Sequence, residues 1–359
     1  MRLIKRNINE TDFSRQNLEV ITKPSVSGVS DLKLLIKKFA PVICFHPDEE
    51  FMPVSVEWYL KKVSLVNPVA KTKRPVTAEA ITDTFGKEGK YFLEPEDGVS
   101  MFGSNTPTKV YVHAKKVNDI YIDLQYWFLF AETASTTAHL KWLIDGAIKG
   151  YEGSVDLDPL GRVNGIWERV TVRVNNFTGS AEQVFFPQSY KGAWIPIEDV
   201  QRRGDRILVY LSKDNCSFYP TVGDHCSDKI SFDLYSSQLD FCIAHESAKG
   251  NEVDFSDACE LISAEYLEEH KPLDPFWLNF KHHWGNPLPD YLSVSSMKRL
   301  VPTLFDKSIE FLRSKELVDS LAHHLMTHFT SEGRYKSLSP KFRKCWFGPE
   351  EGGWLDLMS

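Results

Sequence analysis

Apolar and polar positions alternate most clearly over Trp167-Glu-Arg-Val-Thr-Val-Arg-Val-Asn175, with Glu168, Val170, Val172 and Val174 on one side and Arg169, Thr171 and Arg173 on the other. A period of two marks a strand, and this distribution predicts one buried face and one wet face. Val110–Ala114 and Tyr121–Phe130 are rich in β-branched and aromatic residues, and the second is long enough for a central strand. A turn at Asn176-Phe-Thr-Gly179 leads to further expected strands at Ala181–Pro187, Trp194–Ile197 and Arg206–Leu211. Helical spacing is confined to Ser30–Phe39 with a serine cap, Phe255–His270 and Leu304–Phe329. In the last, Phe305, Ile309, Leu312, Leu317, Leu321 and Leu325 form an apolar stripe beside a polar face of mixed charge, which predicts docking on a sheet rather than lying on a membrane. Short Gly- and Asn-bearing turns between strands imply a mainly β fold, an antiparallel β-sandwich with peripheral helices. The expected organisation is one β-rich domain over residues 1–300 and a helical C-terminal extension over 301–359 packed on it.

Charge and cysteine usage narrow the function classes. With 42 Lys+Arg against 49 Asp+Glu the net charge is -7, which gives no general affinity for nucleic acid. The longest apolar runs, such as Leu124–Ala131, fall short of the roughly 20 residues that span a bilayer. Six cysteines lie without a CxxC pair or regular spacing, so free thiols in a reducing compartment are expected. The first ten residues carry charges every few positions and lack the apolar core of an export signal, so the expected location is cytoplasmic and the sequons at Asn9, Asn176 and Asn215 carry no weight.

Four constellations could carry chemistry. His46-Pro-Asp48-Glu49-Glu50 offers an imidazole and three carboxylates, against the plainer alternative of a solvated loop closed by Pro47 and Pro53. Glu168 points to the buried face at the end of its strand, either bonded to a core donor or available at a cleft mouth. Cys216, Ser217 and Tyr219, followed by Asp224-His225-Cys226, could supply a Cys/His pair, although such pairs are assembled in space. His282-His283 precede Trp284, but consecutive residues on an extended chain point opposite ways, while His323, His324 and His328 suit a helix C-terminus. G-x-G-x-x-G, Walker, HExxH and G-x-S-x-G patterns are absent.

Ala40-Pro-Val-Ile-Cys-Phe-His-Pro-Asp-Glu with Pro53-Val-Ser-Val-Glu-Trp58, then Ile122–Phe128, Trp167–Val174, Ser212–Pro220 and Trp284-Gly-Asn together resemble the vacuolar-protein-sorting-associated family numbered sixty-two. That family is similar in turn to the necrosis- and ethylene-inducing-peptide-like cytolysins, β-sandwiches that bind a divalent metal through a His…Asp-Trp-Glu motif. Where the vacuolar family usually reads His-Glu-Gly-Asp-Trp-Glu, this chain reads Val163-Asn-Gly-Ile-Trp-Glu168, and a further family histidine corresponds to Cys216. One oxygen ligand cannot replace a shell of several, so no metal or other cofactor is expected.

These observations lead to an expected aromatic-lined cleft. Glu168, His46, Asp48, Cys216 and His225 are its candidate catalytic residues, and Tyr126, Trp127, Trp167, Tyr219 and Trp284 its substrate contacts. The expected activity is metal-independent acid/base chemistry on a mainly apolar small molecule: an isomerisation, cyclisation or dehydration. The alternative is a non-catalytic protein that binds an amphipathic lipid or a glycan on its rings and is linked to membrane trafficking.

Overall fold

A computed structural model describes residues 28–87, 91–103, 108–144, 147–188, 192–213, 216–234, 237–267, 274–286, 293–304, 315–331 and 337–350. The long strand Tyr121–Glu132 is central to a seven-stranded sheet because its neighbours pair with it over nearly its whole length. Asn164–Asn175 runs antiparallel on one side, followed by Ala181–Phe186 and Ala193–Pro196. Val110–Lys116 runs antiparallel on the other, and Pro53–Val54 pairs near one end. The outermost member, Cys259–Ser263, is parallel to Val110–Lys116. It lies inside a segment whose spacing predicts a helix over Phe255–His270. Sheet pairing overrides that local preference: Leu261 packs toward one side of the sheet and Ile262 toward the other.

A five-stranded sheet, Arg202–Arg203, Arg206–Leu211, Val42–Cys44, Glu252–Asp254 and Phe218–Tyr219, supplies the second layer of the sandwich. The filling between the layers comes from alternate residues: Val112, Leu124, Phe128, Val170 and Val172 meet Ile43, Val209, Leu211 and Phe218. Helix Val29–Phe39 adds Leu32, Ile36 and Phe39 to this core. It begins one residue before the expected Ser30 cap, with Gly28 in the capping position and no side-chain cap.

A four-stranded antiparallel sheet in the order Ser227–Leu234, Ser237–Ile243, Thr137–Ile144 and Ala147–Asp156 was not expected from the sequence. One of its faces buries Ala138, Leu140, Leu239, Phe241 and Ile243 beneath helices Val294–Leu304 and Lys315–Ser331, through Met297, Val301, Leu317, Leu321 and Leu325. The C-terminal helical region therefore docks on a sheet, and its first helix crosses residue 300. Phe305, Ile309 and Leu312 lie outside the described residues.

Two further expectations are corrected. Cys226 and Cys242 form a disulfide, so only Cys44, Cys216, Cys259 and Cys345 are free thiols. Asn164–Asn175 also has no broadly wet face: Arg169 is 2% and Thr171 0% exposed, because the C-terminal segment covers them.

Candidate functional site

The ten expected site residues are distributed over three places. Trp127, Trp167 and Trp284 lie on the outer side of the central sheet, each at most 1% exposed, in a closed aromatic cluster. Trp167 stacks on Trp277 at 5.3 Å and meets Trp284 edge-on at 5.2 Å, and Tyr111 packs against both Trp167 and Trp277. The Trp284 indole N–H donates to Ser339 Oγ at 2.7 Å, and the Trp284 carbonyl accepts from the Tyr59 hydroxyl. Gly165 has φ +64 against this carbonyl, where a Cβ would collide with it, so the approach of the two segments requires glycine.

Beside the indoles lies a buried polar network that the sequence did not announce. Glu350 accepts from Arg169 Nε at 2.8 Å, Thr171 Oγ1 at 2.9 Å and Gln125 Nε2 at 2.6 Å. Burial pushes its carboxyl up, but Arg169, Lys115 and Gln125 outweigh burial and hold it below the usual range. Trp346 stacks on His113 at 3.6 Å, and its indole N–H reaches Glu265, which also bonds His113 at 2.7 Å. Lys115 Nζ donates to the carbonyls of Cys345 and Gly348, tying the whole segment down.

Tyr126, Glu168 and Cys216 belong to the second place, the sandwich side. Tyr126 is fully buried and its hydroxyl donates to the Ile36 carbonyl at 2.9 Å. Glu168, 5% exposed, shares its strand face with Val170 and Val172 and sits opposite Phe128. It lines none of the recesses described below, nor those at Leu65–Tyr91 and Glu49–Phe102. Cys216, with φ +58, is buried between two strands in the same core as Phe218. Two residues before Glu168, Ile166 is an aliphatic side chain in the same buried cluster as Leu157, Leu160 and Met297 and offers no donor to a metal. The residues present therefore do not fit the divalent site that the cytolysin resemblance implies. Among the described residues no group of three His, Cys, Asp or Glu side chains is placed to hold an ion.

The third place is an open rim where the four-stranded sheet meets the paired strands Gly223–Asp224 and Glu246–Ser247. His46, 7% exposed, accepts the Asp48 N–H at Nδ1 and turns Nε2 toward Glu246 at 3.8 Å, with the Asp48 carboxylate 3.9 Å from Nδ1. His225 stacks on Tyr219 at 3.9 Å, and its Nε2 lies 3.0 Å from Ser247 Oγ. Burial lowers its pKa, opposed by the Thr221 carbonyl and Asp224. The rim also gathers residues that sequence reasoning passed over. His245 Nε2 is 2.7 Å from Ser227 Oγ, while His139 lies 3.1 Å from Ser154 Oγ and 3.3 Å from Asp224.

Two recesses open at this rim and share His139. The larger, about 370 Å³, lies over the polar side of the sheet between Lys141, Glu152, Asp224, Lys229 and Asp240, with the Cys226–Cys242 bridge in its wall. The smaller, about 290 Å³, is lined by Thr137, Ser154, Asp156, Lys213, Ala244 and Glu246. A signal for His139 exists in the sequence, since Thr137, His139 and Lys141 alternate with Ala138 and Leu140. Its partners follow only from strand register.

Residues 9–350 match the family described as Vacuolar protein sorting-associated protein 62. No curated protein matches the chain. Among solved structures, Necrosis and Ethylene inducing Protein 2 from the causal agent of cocoa's Witches Broom disease is similar at 10% identity over 69% of this chain and 78% of that one, with a TM-score of 0.27. With 342 of its 359 residues matched, the chain belongs to the Vacuolar protein sorting-associated protein 62 family.

Proposed function

We propose that the protein recognises a polyhydroxylated ligand, a glycan of about one or two rings, in the larger recess on the polar side of the four-stranded sheet. The carrying observation is the chemistry of that recess. Lys141 and Lys229 donate, Glu152, Asp224 and Asp240 accept, and Ser231 does both. Sugar hydroxyls both donate and accept, so a lining of both kinds suits them, whereas a ligand of one charge sign would meet like charges as well as opposite ones. About 370 Å³ lies in the range of small-ligand sites.

This is the glycan-binding alternative from the sequence, moved from an aromatic platform to a polar recess. Acid/base chemistry on an apolar molecule, centred on Glu168, has less support: the indoles are closed on one another and Glu168 faces the sandwich interior. Among the described residues no helix is long and apolar enough to cross a membrane. The Cys226–Cys242 bond at the recess wall favours an oxidising compartment over the cytoplasm.

The test is calorimetric titration with glucose, galactose, mannose, N-acetylglucosamine and their β-linked dimers. At least one sugar should saturate at one site per chain, binding should be lost in a Lys229→Ala, Asp240→Asn double variant, and Glu168→Gln should bind normally. If no sugar binds, or the double variant binds like the parent, the assignment fails.

A further inference from the structure

The register of the four-stranded sheet lines up three side chains of complementary chemistry at the meeting point of the two recesses. His139 and Ser154 are directly opposed on neighbouring strands, and Asp224 approaches from the short strand at the rim. Ser154 Oγ lies 3.1 Å from His139 Nδ1, and Asp224 Oδ2 lies 3.3 Å from Nε2. With the imidazole proton on Nε2 and directed at Asp224, the Nδ1 lone pair receives the serine O–H. The carboxylate then stabilises the imidazolium that forms when the serine proton is taken. The two ring nitrogens exchange the roles they have in the familiar serine hydrolases, yet each still has one in-plane partner, so the relay is chemically equivalent.

The surroundings favour chemistry over support. Ser154 is exposed, and the His139 and Asp224 side chains are 33% and 47% exposed, so the contacts add little to folding and remain open to a ligand. Lys213 lines the same small recess as Ser154, and its ammonium makes no ion pair among the described residues. A cation there can meet the negative charge that develops on a carbonyl oxygen attacked by Ser154.

We propose that Ser154, His139 and Asp224 form a hydrolytic site for acyl esters of hydroxylated alcohols, with the acyl group in the smaller recess and the alcohol in the larger. The alcohol half of this assignment rests on the glycan reading; the acyl half does not. Ser154 Oγ bonds to the acyl carbon while its proton passes to His139 Nδ1. The ester C–O bond then breaks, and the imidazolium gives that proton to the departing alkoxide, releasing the alcohol. Water next attacks the acyl-serine, Nδ1 takes a water proton and returns it to Ser154 Oγ, and the carboxylic acid leaves. The sum is ester plus water to acid plus alcohol, with no oxidant or reductant.

The test uses the full chain with 4-nitrophenyl acetate and a fluorophosphonate probe. Turnover should form 4-nitrophenol, and peptide mass analysis should find the phosphonyl group on Ser154. Ser154→Ala and His139→Asn should each lower kcat/KM by at least about 100-fold, with unchanged circular dichroism. Ser154→Ala should still bind the sugar that the parent binds, and a parent that turns over the acetate ester but binds no sugar would overturn the glycan reading alone, which separates failure of that reading from failure of this one. Parental turnover by Ser154→Ala, labelling at another residue, or absence of both turnover and labelling overturns the proposal.

Discussion

Two polar strips lie on strand faces in this molecule, and they meet opposite fates. On the central sheet, His113, Gln125, Arg169 and Thr171 are sealed under residues 344–350, where Glu350 accepts from Gln125, Arg169 and Thr171. On the four-stranded sheet, His139, Lys141 and Asp240 stand on the side away from the helices and border open recesses. Alternation along a strand specifies which residues share a face, but only the rest of the chain decides whether that face is covered. Charge that is buried and paired becomes architecture; charge left at an opening stays available for recognition.

The difference should be largest in stability. Trp167→Ala should cost about 3–5 kcal/mol, and Glu350→Gln a similar ~3–5 kcal/mol because Arg169 would stay buried beside a neutral amide. Urea denaturation gives both values, and a loss below about 1 kcal/mol for Glu350→Gln would mean that the segment is only loosely held. Next, Cys226→Ser should cost about 2–4 kcal/mol by freeing a short loop, a loss that reduction of the parent should reproduce.

A pH series separates the two strips further. Glu265 is pushed up by burial but pulled down to about 2 by His113, its own backbone and Trp346, so its contribution is complete above the ordinary 4.5 and is lost as pH falls toward about 2. Burial instead lowers His225 and His282 below the ordinary 6.5. The unfolded chain then takes protons first, and stability should fall as pH drops through 6.5. His225→Asn should flatten that upper slope and leave the acid limb of Glu265 in place; an unchanged slope would remove His225 as its cause. The smallest effect is expected at the rim, where Asp224→Asn should change stability by only about 0.2–1 kcal/mol. A larger loss would make the His139–Asp224 contact structural.

Much of the sandwich was legible because its strands are long and rich in β-branched and aromatic residues. Tyr121–Glu132 and Asn164–Asn175 extend the predicted strands by a few residues. Two kinds of feature were not legible. Cys259–Ser263 adopts a strand only because the edge of Val110–Lys116 is available to it, which no local pattern records. Arg169 read as solvent-facing because Glu350, which neutralises it, lies 181 positions away. The candidate site shows the same limit. His46 and His225 were visible as chemistry beside prolines and carboxylates, whereas Ser154 is an ordinary strand serine until strand register sets it against His139.

The most direct test of where function resides is amide hydrogen exchange of the full chain with and without a saturating sugar identified by calorimetry. Recognition at the rim predicts slower exchange in Thr137–Ile144, Ser227–Leu234 and Ser237–Ile243, with Asn164–Asn175 unchanged. Protection concentrated in Asn164–Asn175 and around Trp284, with the four-stranded sheet unaffected, would contradict it and return the site to Glu168 and the indoles.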